Sequence, residues 1–368
     1  MSNGQRRGSI AGLVRTARQR LRIDVVPADV TPSATPRIDG VDTSTAAFVG
    51  VPAPGAPSEP VEVTSFADYA QAFGTAASEL ARGVRLFFEN GGRRAWVLRA
   101  PDGLSDGLDA LEDVRFAVLT IPDATGLDPD EASELVAQAA DLCEERGAFL
   151  LVDAPPTLAP ADVRLWAAEL GSPRNAALYM PRLRLADGTA TAASGAVAGV
   201  YARTDIERGV WRAPAGGVVQ GAVDATTAVD ETAVAEASAA GVNIIRKFPT
   251  RGLRVWGART LSSDPEWKYV NIRRLAIFIE RSIDEGTQWA VFEPNGEQLW
   301  RTVRAAVEAF MLRLFQQGAF EATRAEDAYF VRCDRTTMTQ DDIDNGRLVI
   351  VVGFAPLRPA EFVVVRVV

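Results

Sequence analysis

The sequence predicts two mixed folds in series, an α/β region through the middle and an α+β region toward the C-terminus, with strand-like arms at both ends. Three observations carry this reading. Between residues 93 and 183, four apolar runs of strand length alternate with helical segments. Each run is continuously apolar rather than alternating, which is the pattern of a parallel sheet covered on both faces. Beyond residue 253, two long helical patterns are set among strands that read as antiparallel. Short apolar strands are also predicted near the two ends, at 21–26 and 360–368.

The elements follow in order. Residues 1–23 carry six arginines and no acid, a basic stretch that is either a solvated tail or an arm docking on an acidic neighbour. "LRIDVV" (21–26) reads as a strand, and Pro27, Pro32 and Pro36 break the chain after it. "TAAFVGVPA" (45–53) reads as a buried strand and "PAPGAPSEP" (52–60) as a surface loop. In "SFADYAQAFG" (65–74), Ser65 stands at an N-cap with Asp68 three residues on, close to a capping box. The four middle strands are "RRAWVLRA" (93–100), "RFAVLTIPD" (115–123), "AFLLVDAP" (148–155) and "AALYMPRL" (176–183). Helices are expected over 129–146, with Ala132, Leu135, Val136, Ala139, Leu142 and Cys143 on one face, and around 160–170.

Residues 187–240 are rich in Ala, Gly and Thr and give no clear period before a helix over 227–241 that Gly241 stops. "LRVWGART" (253–260) reads as a strand. A helix over 268–284 would bury Ile272, Ala276, Ile279 and Ile283. A strand is expected at 288–292, then a helix over 296–315 with Leu299, Val303, Val307, Phe310 and Leu314 inward. "DAYFVRCD" (327–334), "GRLVIVVGFAP" (346–356) and "AEFVVVRVV" (360–368) read as strands, and no repeat of fixed period is visible.

Composition narrows the function. The chain has 368 residues, 47% of them hydrophobic, enough for two or three cored domains. Its net charge of −9 argues against a nucleic-acid partner, since neutralising phosphates needs a basic surface. Two cysteines make no disulfide framework, no apolar run is long enough to span a bilayer, and no secretory leader is seen, so cytoplasmic folding is expected.

Histidine is absent, which removes Ser-His-Asp and Cys-His catalysis and His-based zinc sites. No phosphate-binding lysine loop and no G-x-G-x-x-G between strand and helix is present, so no cofactor is expected. The pairs Glu144/Glu145 and Asp341/Asp342 are adjacent and point apart on a helix. Asp153, at the end of a parallel-type strand, is the one position where α/β enzymes place catalytic groups. The final Val-rich strand needs a pairing partner, in its own domain or in a neighbouring subunit.

Several segments resemble the tail sheath proteins of contractile phages, pyocins and extracellular contractile injection systems. They are "GVNIIRKFPTRGLRVWGARTL" (241–261), "VRCDRTTMT" (331–339), "APLRPAEFVVVRV" (355–367), "GVYARTDIERGVWRAPAG" (199–216), "GVDTSTAAFVG" (40–50) and "VTSFADYAQAFG" (63–74). The resemblance implies an outer, subtilisin-like α/β domain and an inner α+β domain. On that basis the expected division is an arm and linker at 1–39, a segment packing with the inner domain at 40–90, the outer domain at 91–240, the inner domain at 241–359 and an arm at 360–368.

The resemblance further implies a helical homopolymer of hexameric rings around an inner tube, with baseplate and cap or terminator proteins as partners and no direct membrane insertion. Strand arms would link subunits, through Leu21, Ile23 and Val25 at one end and Phe362, Val363, Val364, Val365 and Val367 at the other. The start departs from the family, whose members commonly open with a Pro-Gly-Val-Tyr-Val-like strand. The polar face of the 268–284 helix, with Lys268, Arg273, Arg274 and Arg281, is the candidate tube contact. A sheath-related cap, or an enzyme built on Asp153, are the competing readings.

Overall fold

The computed structural model describes residues 19–22, 36–51, 57, 59–100 and 103–359. Strand β1 is Gln19–Arg22 and β2 is Ala46–Gly50, the latter buried at every position. After β3 (Val61–Val63), helix α1 (Phe66–Phe73) opens on Ser65, whose hydroxyl accepts from the Asp68 amide while Asp68 accepts from the Thr64 amide. Helix α2 (Glu79–Glu89) is capped the same way by Ser78. There follow β4 (Ala95–Arg99), α3 (Leu104–Asp109), β5 (Val118–Thr120), α4 (Pro129–Glu145), β6 (Phe149–Asp153), α5 (Pro160–Glu169) and β7 (Ala176–Met180). Helix α4 starts where Pro129 presets the backbone and Asp128 accepts from two amides of the first turn.

Two short strands, β8 (Leu183–Arg184) and β9 (Ala190–Thr191), precede helix α6 (Ser194–Arg208), and β10 (Asp224–Ala225) precedes α7 (Glu231–Ala239). Strands β11 (Val242–Phe248) and β12 (Gly252–Trp256) form a hairpin. The remainder holds α8 (Val270–Gly286), α9 (Glu297–Gln316), α10 (Ala325–Ala328), β13 (Tyr329–Arg332), α11 (Gln340–Asp344) and β14 (Val349–Phe354).

The large sheet runs β12-β11-β7-β6-β5-β2-β4-β3. Its six inner strands are parallel and its two edges, β3 and β12, are antiparallel. One face packs on α3, α4, α5 and α7 through Val49, Leu119, Leu150 and Leu178. The other face packs on α2 and α6: Phe48 meets Phe87 edge-on, and the Tyr179 and Tyr201 hydroxyls share a hydrogen bond of 2.7 Å. Helices α2 and α6 touch backbone to backbone. A Cβ on Gly195 would stand 2.3 Å from the Gly83 carbonyl oxygen, so the crossing requires glycine there.

The chain divides into two compact units, one of Asp42–Leu275 and one of Ala276–Arg358 with the chain up to Val41. This corrects the expected boundaries at 90/91 and 240/241. Strands β2 and β3 lie before the first boundary and β11 and β12 after the second, yet all four hydrogen-bond into the same sheet. The expected strand at 288–292 is also corrected. Residues Gln288–Ala290 form a 3-10 turn, because the backbone there bonds back to the end of α8, with the Ala290 amide donating to the Thr287 carbonyl.

Candidate assembly elements and the strand-end carboxylates

In the 276–358 unit, β14 is the middle strand of a three-stranded antiparallel sheet ordered β1-β14-β13. Ile350, Val352 and Phe354 alternate along its buried face, so the period of two fixes which side meets the core. Strand β1 pairs with it in the register Leu21 to Ile350. Strand β1 overlaps the expected 21–26 strand only at Leu21 and Arg22, and it pairs with β14 of its own chain. Ile23 and Val25, and the C-terminal arm residues Phe362, Val363, Val364, Val365 and Val367, lie outside the described residues. Among the described residues β13 has no strand on its outer edge.

The candidate tube face does not survive as drawn. Arg273 and Arg274 are 3% and 5% exposed, turned into the 42–275 unit rather than out to solvent. Arg274 makes a two-pronged ion pair with Asp205, at 3.0 and 2.7 Å, donates to the Thr43 carbonyl and lies 4.8 Å from the Tyr201 ring centre. Burial raises the Asp205 carboxyl above its ordinary value, and the Arg274 guanidinium opposes that rise. Arg273 donates to Asn175 Oδ1 at 2.6 Å and stacks on Trp267. Periodicity alone misplaced them, because it sorts charged residues outward and cannot see a buried carboxylate waiting for one. Arg281 stays half-exposed and pairs with Glu285 one turn on, while Lys268 lies before the helix with its ammonium 5.2 Å from the Tyr269 ring centre.

Asp153 sits at the C-terminal end of β6 and is 9% exposed. Its Oδ1 accepts from the Ala193 and Ser194 amides at 2.7 and 3.0 Å, which satisfies two orphan donors of α6 and fixes that helix to the strand end. Burial pushes its carboxyl up to about 6, against the hydrogen bonds from Ser194 and Ala193. It borders a cleft of about 70 Å³ lined also by Pro155, Tyr179, Arg182 and Thr226. Nearby, burial likewise pushes Asp123 up to about 6, and Glu79 is held low by the Ala192 amide, Thr191 and Arg182, outweighing its burial. No group of His, Cys, Asp and Glu among the described residues could hold a metal ion. The carboxylates at this edge hold helix starts in place.

Family models and solved structures decide what such a pair of units belongs to. Residues 99–261 match the phage tail sheath protein central domain, and residues 262–368 match the phage tail sheath C-terminal domain. The chain belongs to the phage tail sheath protein family. It is 28% identical over 345 residues to a putative prophage major tail sheath protein of Pseudomonas aeruginosa strain UCBPP-PA14, covering 85% of this chain and 86% of that one. It is similar to the sheath of an extracellular contractile injection system, the PVC complex in its contracted state, with a TM-score of 0.80 at 30% identity over 93% of this chain and 96% of that one. The contracted helical sheath of the anti-feeding prophage gives 0.78 at 34% identity, over 94% and 99%. The mixed fold of the sheath family is thus present in this chain.

What the sequence reading missed is α2, α3, α6, β3, the β11 half of the hairpin and the short elements β8, β9, β10, α10 and α11. Helix α2 carried a usable signal, the Ser78 cap with Leu80, Val84 and Phe87 on one face. Helix α6 carried none, because it is buried almost all round and built from small residues.

Proposed function

We propose that this chain is the sheath subunit of a contractile injection system, polymerising as stacked hexameric rings around an inner tube. The observation that carries the proposal is coverage. The likeness to contractile sheaths extends over both units, 93–94% of this chain and 96–99% of the sheath chains, rather than over one shared domain. When the baseplate triggers, subunits slide into a second packing and drive the tube through a target membrane. The energy is the free-energy difference between two packings of one folded subunit, so no nucleotide is hydrolysed. The tube, the baseplate and a cap or terminator are the proposed partners. Assembly is placed in the cytoplasm, as part of a phage tail or tail-like particle, with no enzymatic activity.

In the polymer, the C-terminal domain is proposed to face the tube and the sheet-bearing middle domain to face outward. The terminal segments around Leu21 and around 362–367 are proposed to pair with sheets of neighbouring subunits. The helix-face contact is now narrowed to Lys268 and Arg281, since Arg273 and Arg274 are buried.

Coexpression with the tube and baseplate proteins of the same gene cluster tests the reading. Sedimentable tubes with a helical subunit repeat in electron micrographs are the expected result. A chain that binds only tube ends and never pellets would be a cap instead. Turnover of a substrate that disappears in Asp153→Asn would overturn the structural reading.

A further inference from the structure

The β11–β12 hairpin concentrates cationic and aromatic side chains at one edge of the large sheet. Arg246, Lys247, Arg251 and Arg254 fall within nine residues of a chain whose net charge is −9. Arg246 lies directly opposite Arg254 in the ladder, a like-charge pair that destabilises a hairpin left to itself. Phe248 is held between two guanidinium groups, Arg246 at 4.9 Å and Arg251 at 4.6 Å from its ring centre, and packs on Trp256 at 4.7 Å. Trp256 is 36% exposed on the edge strand of the large sheet, and Val218, bridged to Arg254, is 37% exposed beside it. Glu231 and Asp224 answer Arg246 and Lys247 at the surface, and Arg254 donates to the Arg251 and Gly216 carbonyls. An exposed Trp256 and Arg251 beside a half-buried Phe248 are residue types that anchor protein interfaces.

The complementary surface is on the same chain. Residues 104–114 and 128–145 together hold eleven acids and neither lysine nor arginine. They build α3, its following turn and α4, which pack on one another over β2 and β6, four and two strands away from β11. Asp106, Asp109, Glu112, Asp113, Asp130 and Glu131 are exposed there and form no ion pair among the described residues. A basic aromatic edge and an acidic helical surface on one subunit suit a contact between copies.

We infer that the β11–β12 hairpin of one subunit docks on the acidic α3–α4 surface of a second copy of this chain, with Phe248 and Trp256 at the centre and Arg246 and Arg251 meeting carboxylates. The inference rests on the sheath reading above, and it assigns one specific contact within that polymer.

The test is a charge swap in the full chain coexpressed with its tube. Arg246→Glu/Arg251→Glu is expected to raise the concentration needed for tube formation by about tenfold or more. Adding Asp109→Arg/Glu112→Arg to the same chain is expected to restore assembly, and that pair alone to weaken it. Circular dichroism and the melting temperature report whether each variant folds. If the double reversal lowers the melting point, Arg251→Glu alone replaces it, because that side chain is exposed and holds no ion pair. Wild type that forms tubes while the reversal forms them equally well overturns the inference and leaves the sheath reading standing. A reversal that polymerises normally but no longer seats on tube or baseplate gives the hairpin a different acidic partner, which also overturns it. Wild type that forms no tubes counts against the sheath reading itself.

Discussion

The eight-stranded sheet and the β1-β14-β13 sheet are stabilised in different ways. In the eight-stranded sheet, helices cover both faces, side chains interlock, and the helix starts are tied to strand ends by buried carboxylates. In the three-stranded sheet, β1 joins by a backbone ladder of four residue pairs, from a segment remote in sequence. A body held by packing resists exchange, whereas a strand held by a ladder can pair with any edge of the right register. The large sheet is held by packing on both faces, and the small sheet is where, on the proposed reading, neighbouring subunits would be joined.

Substitutions should separate the two. The largest loss of stability is expected from Gly195→Val at the α2–α6 crossing, where no rotamer relieves a contact between Cβ and the Gly83 backbone. Overpacking of this kind costs on the order of 3 kcal/mol or more, and thermal melting should show a chain that no longer folds cooperatively. Next is Arg274→Met, which leaves Asp205 buried without its partner and is expected to cost about 3–5 kcal/mol in denaturant unfolding. Adding Asp205→Leu should recover most of it.

Asp153→Asn comes third and acts through pH. The folded carboxyl is raised from 3.8 to about 6, so the folded protein binds a proton that the unfolded chain has released. That group's contribution therefore falls as pH rises through 6, by up to about 3 kcal/mol between pH 4 and pH 8. The asparagine variant, still accepting from the α6 amides, should flatten this part of the melting-temperature profile. The smallest effect on stability is expected at the ends of the chain. Removing residues 361–368, or 1–22, should leave a soluble chain with a normal circular-dichroism spectrum that fails to form tubes. A truncate that unfolds would show that packing, and not only a ladder, holds that end.

Much of this contrast could be read from the residues. Five of the six parallel strands, β2, β4, β5, β6 and β7, and helices α4, α8 and α9 announced themselves because each buries one side and wets the other, or buries both over a strand's length. Ser65 and Asp68 gave the start of α1 to the residue. Helix α6 was invisible for a physical reason: its first nine residues, Ser194–Ala202, are buried all round and made mostly of Gly, Ala and Val, and such a stretch has no period to detect. The domain boundaries failed because sheet membership is a long-range property, decided by pairing partners that local composition does not reveal. Arg273 and Arg274 show the same limit, since their buried partners Asn175 and Asp205 lie 98 and 69 residues away in sequence.

The chain's two thiols carry a practical consequence. Cys143 and Cys333 are 0% and 1% exposed, and burial pushes the Cys333 thiol up to about 12 and the Cys143 thiol higher still. Thiolate is the form that reacts with maleimides and forms mixed disulfides, so the folded subunit offers almost no native site for either reagent. A single cysteine placed on the surface away from the proposed hairpin contact, for example at the exposed position 317, would be the one labelled. Repeated in every copy of a polymer, it would report distances between neighbours before and after contraction without first removing the native thiols.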